Sequence, residues 1–183
     1  MLFPPVSDWQ SKWVLNEAKT RFPGKPVKYL VLTHHHMDHA GGLRAYAAQG
    51  ATLVVGQGTA AHYRKVLAAP ATRNPDLAAS DLSRTEIIEV TQKWTVGDGR
   101  REVQVYRIDN PHAEGLLIGF LPESRIGYVT DLWSPGTPLP QALNPGLAAV
   151  IAGVKKNGID PQKFAGGHGS VADYSTLTAL EGK

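Results

Sequence analysis

In the first half of the chain, segments whose apolar residues recur with the period of a helix alternate with short continuous apolar runs that are typical of strands. The helical period predicts a helix over residues 8–20, capped by Ser7 or Asp8. The residues expected on one face of this helix are Trp9, Trp13, Val14 and Ala18. Apolar runs predict strands over residues 27–32 and 51–55, and helices over residues 43–49 and 59–69 follow them. This alternation favours α/β layering with a mostly parallel local sheet.

The second half of the chain is richer in strand patterns. Beyond an irregular loop at residues 70–80, we expect strands over residues 85–90, 93–96, 102–108, 116–121 and 126–130. Gly97-Asp98-Gly99 is typical of a hairpin turn. Helices are predicted over residues 147–156 and 171–180, with loops at residues 134–146 and 160–169. Because no repeat or interdomain linker interrupts these patterns, we expect a single domain over residues 1–183.

A dense run of histidines follows the strand predicted at residues 27–32. The run is Thr33-His34-His35-His36-Met37-Asp38-His39-Ala40-Gly41-Gly42. In an extended segment His34, His36 and Asp38 project to one side, while His35 and Met37 project to the other. The glycine pair then lets the chain turn and bring His39 to the same point. Imidazole suits zinc and carboxylate suits harder ions, so the pattern predicts a metal site. The alternative is a polar loop with chance histidines or a purification tag, but tags are repetitive and terminal, whereas this run follows a buried type of strand.

Three more polar residues stand at predicted strand ends or among glycines. His112 follows the strand at 102–108, Asp131 ends the strand at 126–130, and His168 lies in Ala165-Gly166-Gly167-His168-Gly169. Functional side chains on loops at one edge of a sheet are the usual arrangement of an α/β active site. Taken singly, each could be an ordinary loop residue or a turn cap. His62 is expected on a solvated helix face, and His35 is expected to pack against the far side of the loop.

Composition narrows the chemistry. The chain has 183 residues, 42% hydrophobic and 19% charged, as in ordinary globular proteins. There is no cysteine, so a metal would be held by histidine and carboxylate. The net charge of +3 without a basic block makes nucleic acid an unexpected partner. No apolar run suffices to span a bilayer and no signal peptide is visible, so we expect a cytoplasmic protein, or an exported one if a signal-bearing N-terminus is missing.

These histidines and aspartates, in this order along the chain, resemble the signature of the metallo-β-lactamase-fold hydrolase superfamily. Its signature, His-x-His-x-Asp-His followed by a distant His, Asp and His, is matched in order over about residues 8–180. The resemblance implies an αββα sandwich and two metal ions, zinc by default, with iron or manganese also compatible. It assigns His34, His36 and His112 to the first ion. It assigns Asp38, His39 and His168 to the second, with Asp131 bridging both. It also implies a metal-bridging hydroxide as nucleophile, with Asp38 orienting it or shuttling its proton and with His39 or an unligated water protonating the leaving group.

Two departures from the family pattern carry expectations of their own. Only about 33 residues precede His34, which predicts an N-terminally shortened fold, an uncovered sheet edge and self-association as a dimer. The family's Gly-His-Thr around the fourth ligand is replaced by Pro111-His112-Ala113-Glu114-Gly115. That leaves the support of His112 to another residue, with Glu114 a candidate.

The main functional prediction is a binuclear metal-dependent hydrolase of a small ester, lactone, amide or thioester. The first alternative is a metal-binding but catalytically silent, truncated family member. The second alternative is a phosphodiesterase acting on nucleic acid. Candidate pocket residues are Tyr106, Trp94 and Trp133, although aromatic residues at strand ends are more often core. Candidate anion anchors are Lys155, Lys156 and Arg73. The substrate itself is not encoded in any motif, since fold does not fix function.

Overall fold

The computed structural model describes residues 8–70 and 81–182 of the chain. Ser7, Arg73 and nearly all of the loop expected at residues 70–80 lie outside the described residues. The chain divides into two compact units, Met1–Glu89 and Val90–Lys183. Each unit has its own sheet and its own apolar core. The prediction of one domain over residues 1–183 stays a prediction.

The first unit is built on a three-stranded sheet in the order β1-β2-β3. Its elements are α1 (Asp8–Arg21), β1 (Tyr29–Val31), α2 (Met37–Ala40), α3 (Leu43–Ala47), β2 (Thr52–Gly56), α4 (Ala60–Ala68), a 3₁₀ helix (Leu82–Arg84) and β3 (Ile87–Val90). Strands β1 and β2 are parallel, with Leu30 opposite Leu53. The predicted parallel pairing is therefore confirmed. Both strands are almost entirely buried because their apolar runs leave no polar face for solvent.

Helix α1 forms where it is predicted, but its apolar face is not the predicted one. Trp9 is 69% exposed and Trp13 is 60% exposed, so these two side chains do not enter the core. Ser11 is instead fully buried, and the half-buried Leu15 packs against the core of the first unit, while the predicted Val14 and Ala18 are half-buried. Hydrophobicity alone predicts that the tryptophan side of α1 is buried, whereas α1 contacts α3 with a different side.

The second unit contains a six-stranded sheet in sequential order from β4 to β9. The strands are β4 (Lys93–Gly97), β5 (Glu102–Arg107), β6 (Leu117–Leu121), β7 (Ile126–Val129), β8 (Lys163–Gly166) and β9 (Val171–Asp173). Strands β4 to β7 form an antiparallel meander, and the predicted hairpin turn at Gly97-Asp98-Gly99 lies where β4 leads into β5. Helix α5 (Pro145–Lys156) leads from β7 to β8, which pairs with β7 in parallel. A crossover helix is the usual connection between two parallel strands.

The predicted loop at residues 160–169 and the predicted helix at 171–180 are partly wrong. Strand β8 occupies Lys163–Gly166 and strand β9 occupies Val171–Asp173. Helix α6 covers only Tyr174–Thr178 and begins after Asp173. Each missed strand is three or four residues long, and only Phe164 among them is buried. Such a segment is held by pairing with its neighbours and carries too few apolar positions to show a period.

The remaining expectations about elements agree with the structure to within a few residues. Helix α3 ends before Gly50, whose φ of 83° lies in the left-handed region that favours glycine. No helix among the described residues has the length and apolarity needed to traverse a bilayer.

Candidate metal-binding site

Strand β1 delivers the histidine run from the core of the first unit. Leu32 continues the pairing beyond the strand by donating its N–H to the Val54 carbonyl at 2.9 Å. Thr33 and His34 are 2% and 1% exposed, so the run leaves the strand while still buried. The Thr33 hydroxyl lies 3.4 Å from His34 Nδ1. The backbone that presents the first imidazole is therefore fixed by the sheet.

The extended conformation predicted for the whole run ends at His36. His36 has φ −61° and ψ 145°, and it is the N-cap of the short helix α2. Its carbonyl accepts hydrogen bonds from His39 N at 3.0 Å and Ala40 N at 2.9 Å. Asp38 and His39 are therefore helical, and the helix rather than the glycine pair turns His39. The expectation that Asp38 alternates with His34 and His36 along an extended chain is wrong.

The helical turn brings the four predicted ligands of the first unit together. The ring centroid of His34 is 4.6 Å from that of His36 and 4.6 Å from that of His39. Asp38 Oδ2 is 3.1 Å from His39 Nε2. The His39 side chain is 6% exposed and the Asp38 side chain 46% exposed. One end of this cluster is thus buried, and the Asp38 carboxylate reaches the surface.

His35 and His62 lie outside this cluster. His62 is exposed on α4, as predicted. His35 is exposed too, so the expectation that it packs against the far side of the loop is wrong. Its ring instead packs edge-on against the rings of His36 and His62.

In the second unit the predicted ligands converge on Asp131. His112 Nε2 lies 2.9 Å from Asp131 Oδ2, and His168 Nε2 lies 3.0 Å from Oδ1. Each carboxylate oxygen therefore faces its own imidazole. Two ligands of one ion are separated by about 3.0–3.4 Å when their bonds to it are about 2.0–2.1 Å long, so these spacings also suit neighbouring metal ligands. The Asp131 side chain is only 11% exposed.

Asp131 occupies a strained turn at the end of β7. Its φ of 62° is positive, and Leu132 N donates to the Thr130 carbonyl at 2.7 Å across it. A hydrogen bond spanning one residue of positive φ defines the rare, strained form of the γ-turn. The Thr130 hydroxyl lies 3.0 Å from Asp131 Oδ1 and donates to it, which restrains the carboxylate. The turn directs this carboxylate between His112 and His168.

Asn110 supports the loop that carries His112, a role for which the sequence pattern suggested Glu114 instead. Its Oδ1 accepts from His112 N and Ala113 N, both at 2.9 Å. Its Nδ2 donates to the carbonyls of Ile108 and Ala113, both at 3.1 Å. Glu114, the residue predicted for this role, is exposed. The signal in the sequence was Asn110 just before Pro111, since asparagine closes turns onto its own backbone two residues on.

The loop that carries His168 depends on close backbone contacts. Gly167 N donates to the Val129 carbonyl at 2.8 Å, and Ser170 N donates to that of Pro135 at 2.7 Å. Gly169 has a φ of 82°, and a Cβ there would lie 2.4 Å from the Pro135 oxygen. A side chain at Gly169 is therefore excluded both by conformation and by space.

Tyr128 is a further residue that sequence reasoning missed. Burial raises the pKa of its phenol, and the negative charge of Asp131 raises it further. The phenol is therefore a protonated donor at neutral pH. The alternation of β7 could have revealed it, because Tyr128 and Thr130 share one face of the strand.

The candidate pocket residues and the lysines among the candidate anion anchors lie in the core or at the surface of the second unit. Tyr106 and Trp133 are 4% and 3% exposed and belong to the core of the second unit, whereas Trp94 is half-buried. Lys155 pairs with Glu181, and Lys156 pairs with Asp109. These contacts favour core and surface roles over substrate binding.

All seven predicted ligands have side chains that could hold a metal ion. They are His34, His36, Asp38 and His39 in the first unit, and His112, Asp131 and His168 in the second. The donors are imidazole nitrogens and carboxylate oxygens, and the chain contains no cysteine. Such a set fits zinc, iron or manganese.

Comparison with known proteins identifies the class. The model of the metallo-beta-lactamase superfamily matches residues 5–183. The chain therefore belongs to this superfamily, whose members are generally metal-dependent hydrolases. Comparison with curated protein sequences gives no match.

Solved structures show the same fold at low sequence identity. A metallo-beta-lactamase from Pontibacter korlensis is 19% identical, with a TM-score of 0.70, over 99% of this chain and 81% of that one. A metallo beta lactamase from Hirschia baltica is 16% identical, with a TM-score of 0.67, over 97% and 77%. The flavodiiron protein from Giardia intestinalis is 15% identical, with a TM-score of 0.65, over 96% and 46%. The predicted fold class is confirmed, while proteins with such different names leave the substrate open.

Proposed function

We propose that this protein is a binuclear metal-dependent hydrolase of a small ester, lactone, amide or thioester. The observation that carries the proposal is the Asp131 carboxylate, whose two oxygens each face a different imidazole at 2.9 and 3.0 Å. A carboxylate with both oxygens directed at separate histidines is suited to bridging two ions. A single structural hydrogen bond would need only one of them.

Seven side chains supply the donors for such a pair. In the proposal His34, His36 and His112 would hold one ion, and Asp38, His39 and His168 would hold the other, with Asp131 shared. The proximity of His34, His36 and His39 within the first unit supports this assignment, as does membership of the superfamily. Zinc is the default ion because it accepts imidazole and carboxylate together and leaves positions open for substrate.

The bound ions would lower the pKa of a water and polarise the substrate carbonyl. The chain's own residues have separate tasks. Asp38, whose carboxylate is partly in solvent, would orient the nucleophile or carry its proton, and His39 or an unligated water would protonate the leaving group. Asn110 and Thr130 hold His112 and Asp131 in place. Tyr128 is a neutral phenol donor beside Asp131.

The test is metal content followed by activity. Protein purified without chelator should contain two ions per chain and should hydrolyse at least one member of a panel of esters, lactones and thioesters. Asp131→Asn keeps the size of the side chain but removes its charge, so we expect both metal content and turnover to fall. Asp160→Asn is the matched control, because it makes the same change at an exposed aspartate outside the seven. Tightly bound metal that survives in Asp131→Asn would contradict the bridging role. Two bound ions with no turnover on the whole panel would instead indicate the catalytically silent alternative.

A further inference from the structure

Two histidines outside the seven proposed ligands lie beside each other in the first unit. The ring centroids of His35 and His62 are 5.6 Å apart, with an angle of 66° between the ring planes. Both residues are exposed, so an ion in solvent can reach them. They come from different elements, since His35 follows β1 and His62 lies in the first turn of α4.

Their separation of 5.6 Å is close to that of two imidazoles on one ion. With bonds of about 2.0–2.1 Å and a tetrahedral angle, two rings bound through nitrogen have centroids about 5–5.5 Å apart. We propose that His35 and His62 form an additional site for a divalent transition ion such as zinc. Two protein ligands make it weaker than a site with three or four, and solvent completes the coordination.

The backbone holds both histidines in place before any ion arrives. The N-terminus of α4 is fixed by Glu89, whose Oε1 accepts from Gly58 N at 2.9 Å and Ala60 N at 3.1 Å. The C-terminal end of α4 is fixed by Arg44, whose Nη1 donates to the carbonyls of Val66 and Leu67 at 3.0 and 2.8 Å. His35 lies between His34, which is buried, and His36, which caps α2. An ion therefore meets two imidazoles whose backbones need little ordering.

The site also adjoins the catalytic residues of the proposed function. The ring of His35 lies 4.9 Å, centroid to centroid, from that of His36, one of the proposed catalytic ligands. A positive ion on His35 would stand next to that ligand and alter its charge environment. The site thus predicts that excess zinc inhibits turnover, and this consequence alone rests on the proposed function.

Equilibrium dialysis of the full chain against rising zinc concentrations tests the site directly. Wild type should bind its tight complement first and then one more ion per chain. His62→Ala should lose that additional ion and keep the tight complement; alanine suits an exposed helix position, so folding should be unaffected. His35→Ala and the double variant should lose the same single ion, because the two residues act as one unit. Lys65→Ala, on the same helix, is the matched control and should bind zinc as wild type does.

A second measurement reports the ligands themselves. In NMR spectra of the imidazole groups, the His62 signals should shift or broaden during the weak phase of a zinc titration, and should stay unchanged in His35→Ala. Retention of the additional ion by His62→Ala would overturn the proposal, as would an unmoved His62 signal. Failure of the proposed function would show differently, as missing tight ions or absent turnover. It would leave the difference between wild type and His62→Ala intact.

Discussion

Replacement of Asn110 tests whether the metal-binding geometry of the second unit is set by a residue that touches no metal. The Asn110 side chain makes four hydrogen bonds to the loop of His112, at distances of 2.9 to 3.1 Å. Each is worth about 0.5–1.5 kcal/mol net, and solvent can replace those of the exposed N–H groups. We therefore expect Asn110→Ala to lower the free energy of unfolding by about 1–2 kcal/mol.

The larger effect should be on metal affinity. Loss of a residue that orients a ligand typically weakens metal binding by about 10–100-fold. Asn110→Asp tests the oxygen and the NH₂ group of the amide separately. It keeps an acceptor for His112 N and Ala113 N, but it replaces the NH₂ donor by an oxygen that faces the carbonyls of Ile108 and Ala113. Its affinity should fall between those of wild type and Asn110→Ala. Competition with a chromophoric chelator measures the affinity, and urea unfolding measures the stability of the same samples.

The control is Asn157→Ala. Asn157 donates from Nδ2 to the Gly153 carbonyl at 2.9 Å, at the end of α5, and supports no predicted ligand. This variant should lose stability without losing metal affinity. The reasoning would be refuted if Asn110→Ala bound metal as tightly as wild type while its unfolding free energy fell. Asn110 would then be an ordinary loop stabiliser.

Three further predictions concern other features of the chain. Gly169→Ala should destabilise the fold and weaken metal binding, because its Cβ would lie 2.4 Å from the Pro135 oxygen. The control is Gly158→Ala, which also has a positive φ but has open space around it. It should lower the free energy of unfolding by only about 1 kcal/mol. Burial raises the pKa of Tyr46 from 10.0 to about 12, so its contribution to stability should persist below pH 10 and disappear between about pH 10 and 12. Tyr46→Phe should make that alkaline decline shallower, and an unchanged decline would exclude Tyr46 as its cause. Trp9 and Trp13 are exposed four residues apart on α1, which favours self-association. Replacing both by alanine should therefore shift the sedimentation coefficient towards that of the monomer. A wild-type protein that is a monodisperse monomer at micromolar concentration would refute the prediction.

The hydrophobic pattern was sufficient for the elements that bury a continuous apolar run. Strand β2 carries Leu53, Val54 and Val55, all fully buried, and the apolar run of β6 is buried from Leu117 to Phe120. These segments are determined by burial, which the sequence displays directly. The same pattern failed for β8 and β9, whose few residues are held by pairing with neighbours. It also failed for the face of α1, because Ser11 is buried where two tryptophans are not.

The candidate site was predictable in residue type but not in local conformation. A histidine-rich run at the end of a strand indicates metal chemistry whatever its dihedral angles. Whether Asp38 continues the strand or enters a helix depends on His36, whose carbonyl accepts two helical hydrogen bonds. No propensity of a histidine predicts that role. Asn110 before Pro111 indicates a turn, but no single-residue pattern records the four contacts with backbone groups by which it supports His112.

Asp131 shows why a candidate functional residue can be recognised in a sequence although its backbone conformation cannot be predicted. Among the described residues, only Arg125 and Asp131 have positive φ without being glycine. Such a conformation costs on the order of 1–3 kcal/mol and persists only where surrounding contacts enforce it. Here the enforcing contacts include Thr130, His112 and His168, two of which are far from Asp131 along the chain. A glycine would fit the turn with less strain but would offer no carboxylate. The presence of aspartate at this position is therefore best explained by what its two oxygens bind.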